Sequence, residues 1–303
     1  MGLLDQRGVV ITGAGRGLGR SYAHAVAREG AGVVVNDIDI DEAERVVAEI
    51  EHEGGRAIAS GASVADWESS GDLIDTCVRE FGRLDGLVNN AVAYSYFGPP
   101  WEEHGDTIKT QIEVNVTGAL YCAAHALRHM VGQRSGSLIN IASRGIMGQS
   151  GMTVYSASKG ALAAATYAQA MDLMPFNVRV NALCPAGFTR GHTLAGQNAE
   201  YAKSIAGSPD LVAPGIVYLL SDLSNGVTGQ LLVLLGHKLG LMRRPEMLEH
   251  VEERDQWTAH EIAEVLEHEL RADLQPVGVT ATGAYAWDPA PVAPDPRASA
   301  TRR

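Results

Sequence analysis

The chain has 303 residues, 46% hydrophobic and 20% charged, with 24 basic against 36 acidic side chains and a formal charge of −12. That is ordinary for a globular chain long enough to bury a sizeable core, and it speaks against nucleic-acid binding, which shows a basic patch or stripe. Its three cysteines, Cys77, Cys122 and Cys184, include no C-x-x-C pair, so neither a disulfide framework nor a thiolate zinc site is indicated, and a reducing cytoplasm is the natural setting.

The opening MGLLDQRGVVITG lacks the basic segment and long apolar run of a signal peptide. Further on, no uninterrupted apolar stretch approaches the ~20 residues needed to span a bilayer. Gly8 to Thr12 is a short β-branched strand ending in glycines. A helix runs from about Gly17 to Glu29 and stops at Gly30. Gly32 to Asp37 is a second strand, Asp41 to His52 a helix, and Arg56 to Ser60 a third strand. Asp66 to Phe81 reads as helix and Leu84 to Asn90 as a fourth strand. After a Gly/Pro/aromatic loop, Thr107 to Val131 is one long helix or two abutting ones. Ser137 to Ser143, Val178 to Cys184 and Gln230 to Leu235 complete a set of about seven strands. Thr153 to Met174 and Asp210 to Ser221 are the helices between them.

Near-continuous apolar strands alternating with helices predict an α/β fold: a Rossmann-type, doubly wound parallel sheet with helices on both faces. Ligands in such sheets sit beyond the carboxyl ends of the strands, at the switch point. The segmentation expected is a core over residues 1–242, a helical extension over 243–288 and a disordered Pro/Ala-rich tail over 289–303. In the extension, Thr258 to Leu274 is helical, with a Thr258–Glu261 capping box. His260 and Glu261 open H-E-x-x-E; a zinc-protease helix needs a second histidine where Glu264 stands, so no metal site is read.

T-G-A-G-R-G-L-G spans Thr12 to Gly19, directly after the first strand. Glycines let the backbone turn sharply and approach a pyrophosphate, and the following helix aims free N–H groups and its positive dipole end there. Gly13, Arg16, Gly17, Leu18 and Gly19 are the candidate phosphate-turn residues. Asp37 ends the second strand, 18 residues after Gly19. A carboxylate there accepts from ribose hydroxyls and repels a 2′-phosphate, which favours NAD over NADP; a turn or capping aspartate is the plainer alternative. Arg16 pulls the other way, as a cation within reach of a 2′-phosphate.

Tyr155 and Lys159 lie four apart in Y-S-A-S-K, on one face of a helix. A phenol with an ordinary pKa of about 10 needs help to act near neutral pH, and a nearby ammonium favours its phenolate. Taken alone, such a pair is usually a solvated helix face. It stands, however, in a set: the glycine turn, N-N-A at Asn89 to Ala91, Asn115 in N-V-T-G, Ser143 after SLINIA, and Y-x-x-x-K, in that order. With this set the chain resembles the short-chain dehydrogenase/reductase family over about residues 5 to 242.

The resemblance implies an NAD(H)-dependent oxidoreductase interconverting a carbonyl and a secondary alcohol. It implies that Tyr155 exchanges a proton with the substrate oxygen and Ser143 donates to that oxygen. Lys159 is implied to bind the nicotinamide ribose and lower the Tyr155 pKa, and Asn115 to hold a water linking Lys159 to solvent. Ser63 and Val64 are implied near adenine, Asn89 and Ala91 beside a ribose, and Pro185 and Thr189 at the nicotinamide carboxamide. It also implies a homotetramer or homodimer through the helices holding Asn115 and Tyr155.

The chain departs from the family pattern at several positions. Val92 replaces a glycine after N-N-A, Ser63 a common aspartate, and Ala186 a glycine, and LLGHKLG lacks the usual Asp-Gly-Gly end. Val92 and Ala186 leave open a non-catalytic, dinucleotide-sensing homologue; dehydration or epimerisation on the same fold is a third reading. Tyr94 to Trp101, Gly145 to Met147 and Phe188 to about Ala206 are the expected pocket segments. They are largely apolar and aromatic, which suits a hydrophobic cyclic or acyl substrate. Arg144 and Arg190 flank that region, and Ala195 to Ser208 is a candidate lid.

Overall fold

The computed structural model describes residues 2–94, 96–186, 207–247, 255–275, 278–280 and 283–285. It forms two compact units, Met1–Glu246 and Met247–Arg303.

In the first unit, strands β1 (Gly8–Thr12), β2 (Gly32–Asn36), β3 (Arg56–Ser60), β4 (Gly86–Asn89), β5 (Gly136–Ile141), β6 (Val178–Ala186) and β7 (Leu231–Leu235) pair in parallel in the order β3-β2-β1-β4-β5-β6-β7. This is the doubly wound arrangement expected from the sequence. The order reverses between β1 and β4, which opens the crevice where such sheets take ligands. An eighth strand, β8 (Lys238–Met242), extends the edge by pairing antiparallel with β7. It returns through a two-residue turn whose first residue, Gly236, has φ +56.

Alternate strand residues serve opposite faces, as the period of two demands. Val9, Ile11, Val33 and Val35 pack with Tyr22, Val26, Val46, Ile50 and Ile216 on one face. Val10 and Val34 pack with Leu73, Ile74, Cys122, Met130 and Leu138 on the other. The first layer holds α1 (Gly17–Arg28), α2 (Ile40–His52) and α7 (Ala213–Leu220); the second holds α3 (Trp67–Phe81), α5 (Ala119–Gln133) and α6 (Thr153–Leu173). Each fully buried Val, Leu or Ile contributes roughly 1.5–3 kcal/mol, so both faces of the sheet are anchored. All three cysteines are free and buried, and burial pushes Cys77 and Cys122 up to about 12 and Cys184 to about 11. Their thiolates are scarce at neutral pH.

The stretch expected as one or two helices is three pieces: α4 (Gly105–Ile112), a π-helical turn over Glu113–Gly118, and α5. π-turns widen a helix locally and concentrate at functional sites. This one holds Asn115, which is 1% exposed.

In the second unit, α8 (Ala259–His268) opens with the expected capping box. Thr258 Oγ1 accepts from Glu261 N–H at 3.3 Å, and Glu261 Oε2 accepts from Thr258 N–H at 2.8 Å. The helix ends sooner than expected and is followed by a 3₁₀ turn, Arg271–Asp273. β9 (Gly278–Thr280) and β10 (Gly283–Tyr285) pair antiparallel. Residues 289–303 lie outside the described residues, as do Thr189, Phe188, Arg190 and nearly all of the candidate lid. No helix among the described residues is long and apolar enough to cross a membrane.

Candidate active site

The glycine turn leaves β1 and enters α1. Gly13 has φ +61, and a Cβ there would lie 2.8 Å from Ala91 Cα; a Cβ on Gly19 would lie 2.2 Å from Gly13 O. Only glycine fits either place. Arg16, at the N-cap of α1, offers no side-chain acceptor to the first turn. The free N–H groups there suit an anion, so the residues present fit a dinucleotide pyrophosphate.

Several residues not singled out in the sequence hold this turn in shape. Thr12 Oγ1 accepts the N–H groups of Asn90 and Ala91, each at 3.0 Å. Asn90 Nδ2 donates to Thr12 O at 2.8 Å and Gly13 O at 2.9 Å. The N-N-A motif therefore clamps the end of β4 to the end of β1. Asn89, expected beside a ribose, turns its amide inward: Nδ2 donates to Ala119 O at 3.1 Å and Asn140 Oδ1 at 3.0 Å. Its Oδ1 is buried and has no hydrogen-bond partner among the described residues.

Asp37 is 9% exposed. Its Oδ2 accepts from Gly15 N–H at 3.0 Å and its Oδ1 from Asp39 N–H at 3.1 Å. A carboxylate has about four acceptor sites, so lone pairs remain for further donors. Arg16 is engaged by Asp39, Nη2 to Oδ2 at 2.6 Å. The cation that complicates the sequence reading thus has its own counter-ion. Val64 packs under the π-turn, where a Cβ on Gly118 would come within 2.9 Å of its carbonyl oxygen. Ser63 precedes it, partly exposed, with its carbonyl bound by Asp66 N–H at 3.3 Å. Pro185 lies on β6 opposite Leu234.

Tyr155, Lys159, Ser143 and Asn115 converge at the carboxyl end of β5. Ser143 caps a 3₁₀ turn, Arg144–Met147, and its Oγ accepts Gly145 N–H at 3.0 Å. Its hydroxyl neighbours the Tyr155 phenol and favours that group's ionised form. Tyr155 and Lys159 occupy the first two turns of α6. Lys159 is 2% exposed, and its Nζ donates to Ile141 O at 2.6 Å while lying 5.8 Å from the Tyr155 ring centroid. Burial pulls its pKa down to about 8.

The phenol differs from expectation. The sequence reading has Lys159 lowering the Tyr155 pKa; in the structure burial raises it, and the opposing hydrogen bonds come from Ser143 and Tyr94. Lys159 Nζ donates to a backbone carbonyl and makes no hydrogen bond to the phenol oxygen among the described residues. Asn115 is likewise occupied by backbone: Oδ1 accepts Ala93 N–H at 2.7 Å, and Nδ2 donates to Ala93 O at 3.2 Å and Ser158 Oγ at 3.3 Å. Ser158 Oγ in turn donates to Tyr155 O at 2.8 Å.

Val92 stands between the two pins at Ala91 and Ala93, partly exposed, and its φ is not positive. A glycine's freedom is therefore not needed there, and valine is accommodated without backbone strain. Sequence reasoning gave Tyr94 no role beyond pocket lining; its hydroxyl is 3.5 Å from that of Tyr155, and the two rings stack at 5.1 Å. A cavity of about 580 Å³ lined by Asp5, Gln6, Gly30, Arg56, Phe81 and Arg83 lies at the opposite, amino ends of the strands, away from these groups.

The comparisons with known proteins agree with this architecture. The family model for short chain dehydrogenases matches residues 7–201. Cis-4-hydroxycyclohexanecarboxylate dehydrogenase of Sinomonas cyclohexanicum is 34% identical over 76% of this chain and 96% of its own. A cyclopentanol dehydrogenase of Comamonas testosteroni is 31% identical over 78% of this chain and 98% of its own. A crystal structure of a short chain dehydrogenase from Mycobacterium avium superposes with TM-score 0.81 at 30% identity, covering 94% of this chain and 99% of that one. The chain belongs to the short chain dehydrogenase family and is an oxidoreductase that acts on CH–OH groups with a nicotinamide dinucleotide.

Proposed function

We propose that the chain is an NAD-dependent dehydrogenase or reductase of hydrophobic cyclic secondary alcohols and ketones. The observation that carries it is the meeting of the Ser143 and Tyr155 hydroxyls above a buried lysine at the carboxyl end of β5. In the oxidising direction Tyr155 removes the hydroxyl proton of the substrate. Ser143, its lone pair held by Gly145 N–H, directs its own proton to the substrate oxygen. A nicotinamide dinucleotide held by the glycine turn and Lys159 would supply the hydride acceptor for the carbinol carbon. Lys159 would hold the ribose hydroxyls next to the phenol, and Pro185 would contact the carboxamide; Thr189, implied for the same role, lies outside the described residues.

Because burial raises the Tyr155 pKa, the phenol stays protonated through neutral pH. Carbonyl reduction accordingly runs across the neutral range and falls only in alkali, while alcohol oxidation climbs with pH.

The cyclic substrate class draws support from the stacked Tyr94, Phe97 and Tyr155 rings and from the substrates named for the two relatives. Following reduced-nicotinamide absorbance with NAD over cyclopentanol, cyclohexanol, xylitol and glycerol tests it. Turnover of the cyclic alcohols is expected; activity confined to the polyols would reject this substrate class. Exposed Leu120, Met171 and Met174 on α5 and at the end of α6 support assembly as a homodimer or homotetramer.

The NAD preference rests on Asp37, and on Asp39 holding Arg16. Asp37→Ser is expected to lower the ratio of kcat/KM for NAD over NADP at least about tenfold, since charge repulsion worth about 1.4 kcal/mol is a factor of ten. Adding Asp39→Asn releases Arg16 and lowers the ratio further. Steady-state kinetics with both cofactors read the outcome; an unchanged ratio in the double variant refutes the assignment.

A further inference from the structure

Tyr155 has to give or take a proton while Ser143 serves the substrate, and a hydroxyl has one proton to donate. The neighbouring Ser143 hydroxyl favours the ionised form of the Tyr155 phenol. Once it turns to a substrate oxygen, the phenol oxygen loses that donor just as it takes on charge. Lys159 makes no hydrogen bond to that oxygen among the described residues; its Nζ donates to Ile141 O at 2.6 Å and lies 5.8 Å from the ring centroid.

Among the described residues, the other side chain that hydrogen-bonds the Tyr155 hydroxyl is Tyr94. Its Oη lies 3.5 Å away, and the rings are near-parallel at 24° with centroids 5.1 Å apart. That is the long end of hydrogen bonding; contacts at reacting groups commonly tighten when substrate is bound. The placement is built rather than incidental. Tyr94 follows Ala93, whose N–H and C=O are both held by the buried Asn115 amide. On its far side the ring stacks against Phe97, at 6.0 Å and 18°. Burial and the neighbouring phenol keep Tyr94 protonated well past the ordinary range, so it remains a donor when Tyr155 ionises.

We propose that Tyr94 is a positioning residue whose hydroxyl donates to the Tyr155 oxygen and favours its phenolate while Ser143 is occupied by substrate. The proposal rests on Tyr155 being the acid–base of the reaction. It makes the loop after β4 part of the proton chemistry as well as the pocket wall.

The test needs no substrate. With NAD saturating, phenolate absorbance near 295 nm is titrated for wild type and for Tyr94→Phe, with Tyr155→Phe and the double variant as the respective blanks. The difference isolates the Tyr155 step. Tyr94→Phe keeps the ring stack and is expected to move that step up by about one pH unit, tenfold in the ionisation constant. 3-Fluorotyrosine placed at position 94 is nearly isosteric and a stronger donor, and it is expected to move the step down. The rising limb of the kcat/KM profile for cyclopentanol oxidation should shift with it, so that Tyr94→Phe loses about tenfold at neutral pH and recovers as pH rises. A Tyr155 step that stays in place in both position-94 variants overturns the role of Tyr94 and leaves Tyr155 untouched. Full turnover by Tyr155→Phe, or no Tyr155 step in wild type, overturns the acid–base reading itself and this proposal with it.

Discussion

Tyr155→Phe is expected to lower kcat for cyclic alcohol oxidation by about 10²–10⁴-fold, the usual contribution of a positioned acid–base group. Dinucleotide affinity should change little, because the substitution removes one oxygen and leaves the ring in its stack with Tyr94. The loss should be felt in both reaction directions, since the same oxygen gives the proton in reduction and takes it in oxidation. The residual oxidation rate of the variant should be insensitive to pH, so the loss grows as the wild type accelerates towards the raised pKa of the phenol. Stopped-flow hydride transfer and fluorescence titration with NADH separate the two quantities. Retention of more than a tenth of wild-type turnover would mean that another group carries the proton.

Lys159→Met is expected to do two opposite things: cut turnover severely and raise thermal stability. The ammonium is 2% exposed and burial holds its pKa down to about 8, against an ordinary 10.5. The difference, 10.5 − 8 = 2.5 units, corresponds at most to about 3 kcal/mol set against the folded state at neutral pH. The folded pKa is the lower one, so between about pH 8 and 10.5 the unfolded chain binds more protons than the folded chain. Wild-type stability from this group therefore rises with pH through that window, and the full penalty applies below it. Methionine removes the penalty but forfeits the charge-assisted hydrogen bond to Ile141 O, worth about 1.5–3 kcal/mol. A net gain of up to about 2 kcal/mol, or up to roughly 8 °C in Tm at pH 7, is expected to fade as pH approaches 10.5. Melting curves of both proteins from pH 6.5 to 10.5 decide it, and a Lys159→Met protein that melts below wild type at pH 7 contradicts the account. Holding a strained charge at a reacting centre against stability is a common trade in enzymes.

Much of the fold was legible in the sequence because burial on both faces leaves strands as continuous apolar runs, and glycine turns punctuate them. β8 was not, because its residues are largely exposed, Leu239 at 74% and Leu241 at 67%, so it lacks the alternation that marks a half-buried strand. A signal was nonetheless present: the Gly236-His237 pair between two leucine-rich runs suits a two-residue hairpin. The π-turn left no trace, since one extra residue in a helix alters no periodicity over so short a span.

At the site, the residues carrying the proposed chemistry were legible as an ordered set. Their supports were not, because Thr12 and Asn90 meet across 78 positions of chain, and Asn115 and Ser158 across 43. Such contacts depend on the packed sheet rather than on spacing. For the same reason spacing did not reveal that the Lys159 amine donates to a carbonyl or that a second phenol stands beside Tyr155.

The tethers on the segment after β4 also set where this scaffold can be rebuilt. Residues 90 to 93 are fastened by Thr12 at one end and Asn115 at the other, so a library introduced there would disturb the nucleotide cradle and the proton donor together. Beyond Gly98, whose N–H is tied to Gly151 O at 3.0 Å, and Phe97, which stacks on Tyr94, length or sequence can drift with the reacting groups left in register. New substrate ranges, whether selected in nature or in a laboratory, would then arise by exchanging the outer part of that segment while its first few residues are inherited unchanged.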